Sequence, residues 1–245
     1  MANRVTGGSK TRYKKSQGAP GENAPTDLLE RPEAISESFD KSKDFLEKNQ
    51  KLIFGIALVV LLIAGSFFGY RYYLNSQNVI AQEEMFQAVF YFDNGEYEQA
   101  LSGDGNNYGF LDIITEYGGT KSANLANYYV GIIYLEQENY ESAINYLSNF
   151  SSNDLLVQAE AFALSGDAHV QLEEYEKAAR MYEKAANHNA NKFFTPVYLI
   201  KAAMAYKDAG NNSQAIDCYS QIIDDYPTSA EVDTAKKYKA LLERA

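Results

Sequence analysis

The sequence predicts an all-α protein: one transmembrane helix, then an α-solenoid of helix-turn-helix repeats with a C-terminal capping helix. Three observations carry this. Residues 52–70, reading LIFGIALVVLLIAGSFFGY, hold no charged side chain and are closed off by Lys51 and Arg71. A short motif ending in alanine then recurs four times, and the last stretch, Ser229 to Arg244, has apolar side chains at helical spacing.

The uncharged run is nineteen residues long. At about 1.5 Å per residue, that length matches the roughly 30 Å hydrocarbon core of a bilayer. Tyr70, Tyr72 and Tyr73 cluster at its end, where amphipathic rings prefer the headgroup level. A buried core helix would usually carry polar residues on one face, and this run has only Ser66. A cleaved signal peptide would begin with a short charged segment, whereas fifty-one residues precede this one. Within the run, Gly65 and Gly69 form a small-xxx-small pair that lets a second membrane helix approach closely.

The chain of 245 residues carries a net charge of −11, unevenly placed. Residues 1–51 hold ten Lys/Arg against eight Asp/Glu; residues 52–245 hold twelve against twenty-five, and no Lys or Arg occurs between Tyr72 and Thr120. Cytoplasmic flanks collect Lys and Arg, so the N-terminus is expected in the cytoplasm and the acidic domain across the membrane. An acidic domain repels phosphate, which argues against a nucleic-acid partner. Cys218 is the only cysteine; it can form no intramolecular disulfide, and its setting between Asp217 and Tyr219 reads as a small side chain packed within a helix.

Residues 1–31 are expected to be a disordered basic cytoplasmic tail, too poor in aliphatic side chains to offset the entropy of ordering. Its cluster Lys10-Thr-Arg-Tyr-Lys-Lys15 reads either as a solvated topogenic charge run or as a contact for anionic headgroups. Residues 32–51 then read as an amphipathic juxtamembrane helix, opened by Pro32 and carrying Ile35, Phe39, Phe45 and Leu46 on one face. It either lies at the inner membrane surface or extends into solvent to dock on a partner. The transmembrane helix is residues 52–70, and residues 71–245 form the repeat domain.

The four motif copies are Asn94-Gly-Glu-Tyr-Glu-Gln-Ala100, Glu138-Asn-Tyr-Glu-Ser-Ala143, Glu173-Glu-Tyr-Glu-Lys-Ala178 and Gly210-Asn-Asn-Ser-Gln-Ala215. Their alanines are 43, 35 and 37 residues apart. A period near 34 with small residues at fixed places is the mark of the tetratricopeptide repeat (TPR), and the chain resembles that family residue by residue. The third copy has Phe162, Gly166, Tyr175, Ala178, Tyr182 and Ala185 where the repeat takes large, small, aromatic, small, aromatic and small side chains. Gly or Ala at the eighth and twentieth positions lets two antiparallel helices approach, and aromatics fill the space to the next pair. The first copy is interrupted by Ser102-Gly-Asp-Gly-Asn-Asn107, and its second helix resumes at Phe110. Asp104 and Asp112 lie near that loop without the ordered alternation of acids of a calcium loop. A capping helix follows Pro227, with Val232, Ala235, Tyr238 and Leu241/Leu242 expected inward.

No catalytic or cofactor constellation is legible, so the protein is expected not to be an enzyme and to need neither cofactor nor metal. His169 and His188 lack ligand spacing, and His169 takes the eleventh repeat position, where the other copies have tyrosine. There is no phosphate loop, nucleophile elbow or Cys/His pair. Function is therefore expected from a surface. In the TPR family the groove is lined by the second, fifth, ninth and twelfth positions, which here are Leu125, Tyr128, Ile132 and Leu135 in the second copy. The third copy places Glu160, Ala163, Asp167 and Val170 there, and the fourth Val197, Ile200, Met204 and Lys207. This mostly apolar groove suits an apolar helix or an unfolded segment, or else it is covered by the domain's own helices or a second copy.

The order of parts resembles the YfgM family of ancillary subunits of the bacterial SecYEG translocon. The resemblance covers residues 33–245 and is best over Phe45-Leu-Glu-Lys-Asn-Gln-Lys51, the span, and Gly69-Tyr-Arg-Tyr-Tyr-Leu-Asn-Ser-Gln77. It implies a single-pass inner-membrane protein with a periplasmic domain. Such a protein would associate with SecYEG and a PpiD-type membrane-anchored chaperone, and help unfolded or extended client segments at the channel exit. The long tail and the loop after Ala100 depart from the family pattern. The alternative is a cell-envelope scaffold or adaptor in division or wall assembly.

Overall fold

The computed structural model describes Lys43 and residues 46–244. The basic tail over 1–31 and the face Ile35, Phe39 and Phe45 of the juxtamembrane helix lie outside the described residues. The chain divides into two units, residues 1–66 and 67–245.

The division falls inside one uninterrupted helix, α1, Gln50–Asp93. It has no break at Tyr70, because the residues on either side of the boundary are helix-compatible and no Pro or loop sequence intervenes. In the first unit every side chain from Phe54 through Ile63 is exposed, an apolar run uncovered within the fold. Of the described residues, this is the one helix long and apolar enough to cross a membrane.

In the second unit the character of α1 changes to that of a packed helix. Ala81, Met85 and Ala88, at i, i+4 and i+7, are buried, as helical periodicity requires of a single buried stripe. This last part of α1 is the first helix of the first repeat. Its partner is split into α2 (Tyr97–Ser102) and α3 (Phe110–Glu116), as the inserted loop predicts. The second repeat is α4 (Lys121–Glu136) with α5 (Tyr140–Asn149), and the third α6 (Leu155–Gln171) with α7 (Tyr175–His188). The fourth is α8 (Thr195–Asp208) with α9 (Asn212–Asp225), capped by α10 (Val232–Leu242). All four predicted alanines, Ala100, Ala143, Ala178 and Ala215, are fully buried. In α10, Val232 and Ala235 are buried and Tyr238 and Leu242 partly so, but Leu241 is 52% exposed, since only one stripe of a terminal helix has a neighbour.

The turns inside the four repeats share one geometry. In each, one residue takes a left-handed conformation: Gly95 (φ 75°), Glu138 (φ 60°), Glu173 (φ 57°) and Gly210 (φ 79°). The next amide donates back five residues, from Glu96 to Tyr91, Asn139 to Tyr134, Glu174 to His169 and Asn211 to Tyr206. That bond closes the first helix by satisfying a carbonyl left over at its end. Asn139 and Asn211 then cap the second helix by accepting from Ser142 and Gln214 amides.

Among the described residues, the core of the repeats is made of three apolar clusters. Phe110, Ile113, Val130 and Ile133 centre the first, with Phe110 stacked on Tyr129 at 4.9 Å; Tyr182, Leu199, Tyr206, Tyr219 and Ile222 centre the last.

Candidate functional site, the face of the first helices

The first helices of repeats two to four, α4, α6 and α8, carry the predicted groove residues, and the structure sorts these into two groups. Tyr128 is 9% exposed and packs with Leu147, Phe150 and Ala161, its ring 5.1 Å from that of Phe150. Ala163 is 5% exposed within the last core cluster. These two residues, expected on the groove, are core. Tyr128 is covered by Phe150 and by Ala161 of the next repeat, and Ala163 by the cluster it shares with Tyr182 and Leu199. Leu125, Ile132 and Leu135 are half-buried against the Tyr128 cluster, and Ile200 is half-buried against the last one.

Val197 and Met204 remain open, 38% and 45% exposed. Beside them stands a polar step. Asp167 on α6 accepts two hydrogen bonds from Lys201 Nζ on α8, at 2.7 and 3.0 Å, and one from the Tyr182 hydroxyl at 2.6 Å. Lys201 also lies 5.3 Å from the centre of the Tyr182 ring. Burial, and secondarily Asp167, pushes the Tyr182 phenol well above its ordinary value. The Glu160 carboxylate stands near the hydroxyls of Tyr128 and Tyr198 and adds to the upward shift that burial gives both. Lys207 pairs with its neighbour Asp208 at 2.9 Å, and Val170 packs on the last core cluster.

Lys201 was not legible as a site residue. Its signal is that the sixth position of one copy faces the ninth of the copy before, a relation between neighbouring repeats rather than within one. Also missed are Leu155 and Leu156 at the start of α6 and Phe193 and Phe194 just before α8, all exposed. Val79, Phe86 and Phe90 on α1 are exposed because no earlier repeat covers the first one. Gly65 and Gly69 have open space where a β-carbon would stand.

Elsewhere the polar residues are structural. His169 is buried and its Nδ1 lies 2.7 Å from Glu174, which also accepts from Lys177. The two donors, Lys177 first, hold the Glu174 carboxyl below its usual range. At the same eleventh position Tyr91 donates to Asp104 and Tyr206 to Glu183. The loop after Ala100 is organised by Asp104, whose carboxylate accepts from the amides of Asn106 and Asn107, the Asn107 side chain and Tyr91. A carboxylate ringed by four donors is shielded from a cation, and Asp112 is occupied in capping α3 through the Gly109 amide. Among the described residues no group of three His, Cys, Asp or Glu is placed to hold a metal ion.

Residues 159–191 match one family model of the tetratricopeptide repeat, and residues 198–229 match a second. These lie in the third and fourth repeats of the structure, and the first match begins at Ala159, the first position of the third repeat. The described residues are thus all-helical or connecting turns and carry TPR repeats, a class of scaffold for binding other proteins. No curated protein matches the chain significantly.

Proposed function

We propose that this chain is a non-enzymatic, membrane-anchored adaptor of the YfgM type, with its N-terminus in the cytoplasm and its repeats in the periplasm. In this reading it associates with the SecYEG translocon and a PpiD-type chaperone, and its repeat face engages unfolded or extended client segments leaving the channel. One observation carries the reading: a single chain joins an exposed, uncharged helix of membrane-spanning length to repeats whose open face offers Val197 and Met204 beside the Asp167–Lys201 pair. Anchoring raises the local concentration of that face, so weak apolar contacts suffice. The charge asymmetry across the span and the juxtamembrane stretch Phe45 to Gln77 support the orientation and the partner set.

The test begins with protease added to spheroplasts. Digestion of the repeats with protection of the N-terminal tail is expected; protection of the repeats until lysis would sink the reading. Purification from mild detergent then decides the partners. Recovery of translocon subunits supports the proposal, and recovery of division or wall-synthesis proteins instead makes the chain an envelope scaffold.

A further inference from the structure

The stretch from Tyr72 to Thr120 contains no Lys or Arg, yet the two cations that bound it, Arg71 and Lys121, line the same cleft. The cleft has a volume of about 530 Å³ and also presents Phe68, Tyr72 and Asn75. It is a built feature. The Asn78 side chain on α1 accepts from the amide and hydroxyl of Ser122, at 2.9 and 3.2 Å, and so fixes the start of α4 against α1. Gly119 has a φ of +83°, and a β-carbon there would stand 3.6 Å from Leu74 Cδ2. Thr120 caps α4 by accepting from the Ala123 amide, and the positive end of that sixteen-residue helix is at the cleft. Among the described residues neither Arg71 nor Lys121 has an acidic partner within ion-pair distance.

We infer that this cleft binds the phosphate of an anionic phospholipid headgroup. The inference rests on the membrane reading of residues 52–70, which sets Phe68 and Tyr72 at the edge of the bilayer. There, two unpaired cations and a helix N-terminus face the phosphate layer, and the aromatic side chains flank the upper acyl region. The rest of the repeat unit is acidic and is repelled by an anionic surface. The cleft is lined by two cations and no acid, and in this reading it sets which end of the repeat unit stands against the membrane. A soluble phosphate would use the same donors, so the experiment must separate the two sources.

The full-length protein is reconstituted into nanodiscs of phosphatidylcholine alone and of phosphatidylcholine mixed with phosphatidylglycerol. Phosphatidylglycerol retained by the protein after detergent extraction is quantified by native mass spectrometry. Retention is expected to fall about fivefold for Arg71→Gln or Lys121→Gln and about thirtyfold for both, and to weaken in high salt. Lys184→Gln and Lys237→Gln, exposed cations elsewhere, should change nothing. A protein that enters nanodiscs but retains no more phosphatidylglycerol than its double variant overturns the inference and leaves the membrane reading standing. Failure to enter nanodiscs sinks both. If inorganic phosphate displaces the retained phosphatidylglycerol from the mixed nanodiscs and stabilises the protein equally in phosphatidylcholine alone, the site is one for soluble anions, and the lipid assignment is overturned.

Discussion

Gly166 on α6 lies against the ring of Tyr182 on α7, so close that a β-carbon at Gly166 would come within 2.7 Å of Tyr182 Cε1. Gly131 and Leu147 repeat the relationship in the second repeat, at 2.6 Å from Leu147 Cγ. Two helices approach at these points because one of them presents only hydrogen. Gly166→Ala would gain about 1 kcal/mol of helix propensity, and overpacking would cost about 1–3 kcal/mol. Tyr182 cannot swing away without losing its bond to Asp167, so the net is a destabilisation. A lower midpoint in chemical denaturation is expected for Gly166→Ala, and Tyr182→Leu should partly relieve it.

The second prediction concerns the turns. Glu138 and Glu173 hold the left-handed conformation that Gly95 and Gly210 hold in the other two copies. A side chain there costs roughly 1–2 kcal/mol, partly offset by the greater entropy a glycine loses on folding. Glu138→Gly and Glu173→Gly should each stabilise by about 0.5–1 kcal/mol. Gly210→Ala, which meets no atom within 4 Å, should destabilise by a similar amount through backbone strain alone. Thermal melts of the three variants check this. Equal stability would mean that the turn relaxes out of the left-handed region.

These turns show what the sequence made legible. The alanines and the glycines of the repeat were readable because close approach permits few side chains, so the composition records the geometry. Copies two and three hid their left-handed position behind glutamate, since tertiary packing can impose a conformation that local preference opposes. The groove was read only in part. Position within a repeat told which residues lie on the shared face, but not that Tyr128 and Ala163 are covered, which depends on the neighbour's side chains. The Asp167–Lys201 pair, 34 residues apart, was invisible for the same reason.

The loop after Ala100 gives the third prediction. The amide of Asn107 first, then the Tyr91 hydroxyl and the Asn106 amide, hold the Asp104 carboxyl well below its ordinary value of 3.8. A depressed carboxyl stabilises the folded state above its unfolded pKa, and that contribution fades as pH falls through the folded one. Asp104→Ala is therefore expected to loosen residues 103–109 at neutral pH and to abolish the acid dependence of their protection. Hydrogen exchange of the Asn106 and Asn107 amides reads both effects. Calcium should leave that exchange unchanged, because the donors already fill the carboxylate.

A fourth prediction follows from buried groups in α9. Burial pushes the Cys218 thiol up to about 12 from 9.0, and the Tyr219 phenol up to about 12 from 10.0. Folded pKa values above the unfolded ones mean that this stability is complete below the unfolded values. It is lost as pH rises through the folded ones. Between pH 9 and 12 the melting temperature should fall, and Cys218 should react with thiol reagents only as the domain unfolds. Tyr219 adds a second check. Its buried hydroxyl finds no hydrogen-bond partner among the described residues, so Tyr219→Phe should be neutral or stabilising by up to about 1 kcal/mol. A clear loss of stability would instead show that a bound water serves that hydroxyl.

The last prediction separates lining from core on the repeat face. Val197 and Met204 are open, whereas Tyr128 has 9% exposure and supports the second and third repeats together. If clients bind this face, Val197→Asp with Met204→Asp removes apolar contacts worth about 1–2 kcal/mol each when buried, weakening binding at least about tenfold. Stability should hardly change, because neither side chain is part of a buried cluster. Tyr128→Ala should do the reverse, costing about 3 kcal/mol or more of stability, and affecting binding only through unfolding. Breaking the Asp167–Lys201 pair, with both side chains 40% exposed, should cost less than about 1 kcal/mol because solvent screens it. Its effect on binding depends on what the client carries: Lys201→Met favours apolar segments, while Asp167→Asn weakens basic ones. Affinity measured by fluorescence anisotropy on labelled unfolded peptides, beside melts of the same variants, tells these outcomes apart. Unchanged affinity in the Val197/Met204 double variant would move the binding surface off this face.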